Sequence, residues 1–120
     1  MTDREKEIEI AKRLGWTARY FELTRFTLIN PQGKAVSATA CPESAAWDYL
    51  CPCYLTDRNA AQEIVTHFAD SDDWHQFSEA IHWAWTLAKK PVKASSFIFV
   101  GLLATSREIC EAACEVWEIQ

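Results

Sequence analysis

The chain has 120 residues and a formal charge of −5, with 17 acidic against 12 basic side chains. That length fits one domain that buries roughly two-thirds of its unfolded surface without staples, and the negative balance argues against a groove that tracks phosphates, which needs clustered Lys and Arg. An apolar content of 49%, with six Trp and only three Gly, points to a packed core and excludes a disordered chain.

Residues 1–14 contain no apolar core of a secretory signal. The longest apolar stretch, Phe97 to Ala104, is far shorter than the ~20 residues that cross a bilayer. A cytoplasmic protein is expected. Its five cysteines, Cys41, Cys51, Cys53, Cys110 and Cys114, are then expected as thiols, and their odd number closes no disulfide framework.

Thr2 followed by Glu5 is a capping box that opens a helix to about Leu14, with Ile8, Ala11 and Leu14 as its apolar stripe and Gly15 as its end. Trp16 to Leu28 is rich in Trp, Tyr, Phe, Thr and Leu and reads as a strand or two short strands. Asn30-Pro31-Gln32-Gly33 signals a turn, after which Lys34 to Thr39 can return as a strand. Residues 40–56 show no clean period and carry Pro42 and Pro52, so an ordered loop is expected there, anchored by Trp47, Tyr49, Leu50 and Tyr54.

A helix starts near Thr56 or Asp57, with Ala60, Ile64, Val65 and Phe68 inward. Ser71-Asp72-Asp73 caps the next, in which Trp74, Phe77, Ile81, Trp85 and Ala88 recur at helical spacing before Lys89-Lys90-Pro91 closes it. Ser95 to Ala104 is apolar on both alternating faces and predicts a central strand. Thr105-Ser106 caps a last helix running to about Trp117. A strand buried on both faces needs cover on both sides, which favours α+β architecture as a three-layer α/β/α sandwich: a small antiparallel or mixed sheet flanked by helices.

The order helix, aromatic strand, Asn-Pro-Gln-Gly turn, Pro-x-Tyr-x-x-Asp-x-Asn-Ala helix, strand and Ala-Thr helix ending in Trp-Glu resembles the phage ABA-sandwich domain family. Tyr54, Asp57, Asn59 and Ala60 match its central motif. Ala104, Thr105, Arg107, Ala112, Ala113, Trp117 and Glu118 match its closing one. The stretch from Cys41 to Cys53 and the Trp-rich helix at 72–90 depart from the pattern by their length. The resemblance implies a sheet between helical layers, a phage or prophage origin and no agreed enzymatic activity. Small acidic proteins of that origin often act by binding host machinery, and blocking a defence such as CRISPR is one such role.

Several residues admit both a chemical and a structural reading. Tyr54-x-x-Asp57-x-Asn59 can form an anion-binding helix start, or Asp57 and Thr56 can simply cap it. Cys41, Cys51 and Cys53, with His67, His75 or His82, suggest zinc without the C-x₂-C spacing such sites use, and Cys41-Pro42 and Cys51-Pro52 resemble the dipeptides of some haem-sensing proteins. A small-ligand or metal binder using this stretch is therefore the alternative, although no cofactor is expected. His75, Glu79 and His82 share one helical stripe, but the two histidines stand about 10 Å apart along the axis, too far to share one ion easily.

Glu108, Glu111, Glu115 and Glu118 form an acidic stripe on the last helix. It is either an ordinary solvated face or a strip for a basic protein surface, such as one that normally holds nucleic acid. Trp83 lies off the apolar stripe and can anchor a partner or a second copy, or pack on the 40–56 stretch. With no nucleophile–base pair in view, the sequence is read as non-enzymatic. It is expected to bind a host protein through the acidic stripe or through Trp47, Tyr49 and Trp83, with no nucleic-acid or membrane partner.

Overall fold

The first helix, α1 (Asp3–Leu14), begins at the box its sequence encodes. The Glu5 N–H donates to Thr2 Oγ1 at 3.1 Å, and the Thr2 N–H donates to Glu5 Oε1 at 3.3 Å. The computed structural model describes residues 1–87 and 104–119, without the side chains of 84–87. It divides the chain into two compact units, Met1–Cys53 and Tyr54–Gln120. The described chain is α+β, with five helices and a two-stranded antiparallel sheet. Among the described residues no helix is long and apolar enough to cross a membrane.

In the N-terminal unit α1 buries Glu7, Ile10 and Ala11. The expected stripe of Ile8, Ala11 and Leu14 is thus rotated: Ile8 and Leu14 are only half-buried, and Glu7 takes an inner place because Arg4 Nη1 reaches its Oε1 at 3.0 Å. Gly15, at φ +109°, ends the helix. Two short strands follow, β1 (Thr17–Tyr20) and β2 (Phe26–Ile29), paired with Ala18 opposite Leu28 and Tyr20 opposite Phe26.

The Asn30 turn forms as expected. Gly33 sits at φ +86° and donates its N–H to the Asn30 carbonyl at 2.9 Å, while Asn30 Oδ1 accepts from the Gln32 and Lys34 N–H groups. Residues 34–39 do not return as a strand. They touch β2 through isolated bridges at Ala35 and, just beyond, Ala40. Between these points the Thr27 hydroxyl reaches the carbonyls of Ala38 at 2.9 Å and Val36 at 3.2 Å, beside the backbone bond from the Val36 N–H to the Leu28 carbonyl at 3.0 Å.

The expected 40–56 loop is in part a helix, α2 (Glu43–Leu50). Its prolines mark the ends of a helix instead of a loop: Pro42 is the N-cap, where no N–H is needed, and Pro52 follows the C-cap Cys51. The Arg4 guanidinium takes up the carbonyls at the C-terminal end, donating to Cys51 O at 2.7 Å, Asp48 O at 2.9 Å and Pro52 O at 3.3 Å. A cation there also complements the negative end of the helix dipole. Of the expected anchors, Tyr54 is fully buried, Trp47 and Leu50 are half-buried, and Tyr49 is exposed.

In the C-terminal unit α3 (Arg58–Ala69) starts at Asp57, whose carboxylate accepts from the Asn59 and Ala60 N–H groups at 3.0 and 3.3 Å. It buries Ala61, Ile64, Val65 and Phe68; Ala60, expected inside, is half-buried. Helix α4 (Trp74–Leu87) follows a turn in which Ser71 Oγ accepts the Asp73 N–H, and it buries Phe77 and Ile81. Helix α5 (Ser106–Val116) opens on a second capping box, Thr105 with Glu108, and packs against α3 and α4.

Phe68 and Phe77 stack at 4.3 Å, and Trp117 closes on Phe68 at 4.8 Å. Burying a side chain of this size contributes roughly 1.5–3 kcal/mol. Arg58 ties the start of α3 to the approach of α5 by donating to the Ala104 carbonyl at 2.9 Å. The expected closure at Lys89-Lys90-Pro91 and the strand from Ser95 to Ala104, save its last residue, lie outside the described residues, as do the side chain of Trp85 and all of Ala88.

Candidate functional site

Helices α4 and α5 leave between them an open groove of about 900 Å³. Helix α4 contributes His75, Glu79, His82 and Trp83, and the C-terminal end of α5 contributes Glu115, Val116 and Glu118. None of the described lining residues is Lys or Arg. Trp83 is 64% exposed. His75 Nε2 lies 3.2 Å from Glu79 Oε1, with both side chains open to solvent.

The end of α5 is built against its own stability. The Glu118 N–H donates to the Glu115 carbonyl at 3.2 Å and the Ile119 N–H to the Cys114 carbonyl at 2.8 Å, a pair of bonds that places Glu118 in the left-handed region at φ +59°. The end of α1 has the same pair of bonds, Gly15 to Lys12 and Trp16 to Ala11, with Gly15 in the corresponding position. Glycine fits there without a Cβ clash, whereas an ordinary residue is strained by about 1 kcal/mol or more. No basic residue stands in the last turn of α5, although the dipole favours a cation there; Glu115 and Glu118 bring negative charge to the negative end.

The other expected site residues separate into distinct environments. Glu108 is not part of a free acidic strip, because its Oε1 accepts the Thr105 N–H at 2.9 Å in the capping box. Glu111 lies outside the groove lining, 3.9 Å from Arg107 Nη1. Trp47 belongs to the N-terminal unit and carries Lys12 Nζ over its ring at 5.1 Å, so it is no bare anchor. Tyr49, also in that unit, is exposed. Tyr54 is buried with its hydroxyl donating to Glu63 Oε2 at 3.2 Å. Asp57 and Thr105 are N-caps. The motif residues described so far thus perform local structural work, and Asp57 takes the cap reading of its two alternatives.

Among the described residues no group of three or more His, Cys, Asp or Glu side chains is placed to hold a metal ion. Cys41 and Cys53 are exposed, and Cys51, Cys110 and Cys114 are buried. Burial pushes the Cys51 thiol up to about 12 against the opposing charge of Arg4, and its S–H faces the Glu7 carbonyl at 3.6 Å. Arg4 Nη1 also lies 3.8 Å from Cys53 Sγ. Burial opposes the Arg4 charge, but the bond to Glu7 and the neighbouring Cys51 and Cys53 raise its pKa.

Sequence reasoning names the stripe with Glu115 and Glu118 and, apart from it, Trp83, but does not join them across two helices. It also misses Arg4, whose carbonyl partners at the end of α2 lie more than forty positions away. One signal was present: a capped helix whose apolar pattern ends in Trp117-Glu118-Ile119, with no Gly or Asn for the left-handed position. No protein-family model, curated protein or solved structure matches the chain.

Proposed function

We propose that this is a non-enzymatic protein of phage or prophage type, related to the ABA-sandwich proteins with a sheet between helix layers, that acts by binding a basic surface of a host protein through the α4–α5 groove. The observation that carries this reading is the end of α5. Two unfavourable local choices meet there, a Glu in a position suited to Gly and acids at the negative end of a dipole, and the exposed Trp83 of α4 lines the same groove. Local conflicts of this kind, each costing about 0.3–1 kcal/mol or more, concentrate where function demands them.

The chemistry suits a cationic partner. Glu79, Glu115 and Glu118 supply negative potential, and the face of an exposed indole accepts an Arg or Lys head group. Clustered Arg and Lys are what a nucleic-acid-binding surface presents, so the sharpest form of the proposal is inhibition of a bacterial defence protein at the surface that holds its nucleic acid. The test is parallel capture from a bacterial lysate with the wild-type protein and Glu115→Lys/Glu118→Lys as baits. A basic protein retained by the wild type, released by salt and absent from the variant supports the reading. Equal retention by both baits contradicts it.

A further inference from the structure

The N-terminal unit contains a strand edge that its own hydrogen bonds leave open. Phe26 exchanges both backbone bonds with Ala40, at 2.7 and 2.9 Å, and the Leu28 carbonyl accepts the Val36 N–H at 3.0 Å. Those two β2 residues therefore face the 36–40 segment, and the ladder to β1 falls to Thr27 and Ile29, opposite Arg19 and Thr17. Since successive residues of a strand direct their N–H and C=O groups to opposite sides, Ala18 and Tyr20 point theirs to the far edge of β1. There they have no partner among the described residues.

The side chains on this edge select among occupants. Arg19 is exposed and pairs with no carboxylate among the described residues, and Tyr20 and Phe21 beside it are exposed as well. Antiparallel pairing of two copies centred on this edge would set one copy's Arg19 directly against the other's, a like-charge pair that disfavours self-association. The same charge favours a strand that brings an acid. We propose that β1 binds an extended segment of a partner protein by strand addition, with the segment hydrogen-bonding to Ala18 and Tyr20, an acidic residue opposite Arg19 and an apolar residue against Tyr20.

The experiment is NMR titration of the full chain with a capped Thr-Val-Glu-Val-Thr peptide, its Thr-Val-Lys-Val-Thr counterpart, and a form of the first N-methylated on alternate residues. The Glu peptide is expected to shift the amides of Ala18 and Tyr20 and to bind about tenfold more tightly than the Lys peptide, while the methylated form does not bind. Arg19→Gln should erase the preference, and Arg19→Glu should invert it. The proposal is overturned if the Glu peptide fails to bind at millimolar concentration or shifts other amides instead, or if both Arg19 variants keep the original preference. Slow hydrogen exchange at Ala18 and Tyr20 in the free protein would equally overturn it, because the edge would then already be covered.

Discussion

Gly15 and Glu118 occupy equivalent positions at the ends of two helices, and the contrast between them turns local strain into a measurable quantity. Replacing Glu118 with Gly should stabilise the protein by about 0.5–1 kcal/mol in urea denaturation, because the left-handed strain is relieved. The same variant should bind its partner less well, since it removes a carboxylate from the groove. A second residue-scale prediction concerns Glu5, whose carboxyl is held below its ordinary value of 4.5 by the backbone bond from Thr2 and then by the Thr2 side chain. A lowered folded-state pKa means that the stability of this box is complete above the ordinary value and is lost as pH falls through the lowered one. NMR titration of the Glu5 carboxyl should show a midpoint below 4.5, and Thr2→Ala should move it back up.

At the scale of elements, α2 depends on a residue from another helix. Arg4→Ala removes the donor to Asp48, Cys51 and Pro52 and leaves Glu7 without that ion pair. Charge-assisted bonds of this kind contribute about 1.5–3 kcal/mol, so a loss of about 2 kcal/mol is expected by denaturation. Fraying of α2 should also expose Cys51, which thiol reagents should label in Arg4→Ala but not in the wild type. The β1–β2 hairpin carries strain of another kind. Its turn closes with the Arg25 N–H on the Glu22 carbonyl at 2.8 Å and holds Leu23 and Thr24 at φ +48° and +66°, where Asn-Gly is favoured. Leu23→Asn/Thr24→Gly should therefore raise stability by about 1 kcal/mol. These two elements also show where sequence reading reached its limit. The starts of α1, α3 and α5 were legible because Thr2, Asp57 and Thr105 act on neighbours two or three positions away. Helix α2 was not, because its end is held from α1, and its prolines read as breaks when they are in fact boundaries.

For the whole molecule, helical periodicity put Glu115 and Glu118 on one stripe and set Trp83 off the core of α4, but no local rule states which two helix faces meet. Helix α4 buries Phe77 and Ile81 and α5 buries Ile109 and Ala113, the two helices pack together, and their pairing makes the acidic end of α5 one wall of a groove. The proposed mode of action is occupation of a basic surface without turnover. The direct measurement is titration of a captured target's nucleic-acid binding with increasing wild-type protein, beside Trp83→Ala and Glu115→Lys/Glu118→Lys, with Tyr49→Ala as a control outside the groove. Stoichiometric occupation requires a linear loss of binding that ends at one equivalent of wild type or Tyr49→Ala, and a shift to much higher concentration for the groove variants. Complete loss at a small fraction of an equivalent, or groove variants as potent as wild type, would contradict it.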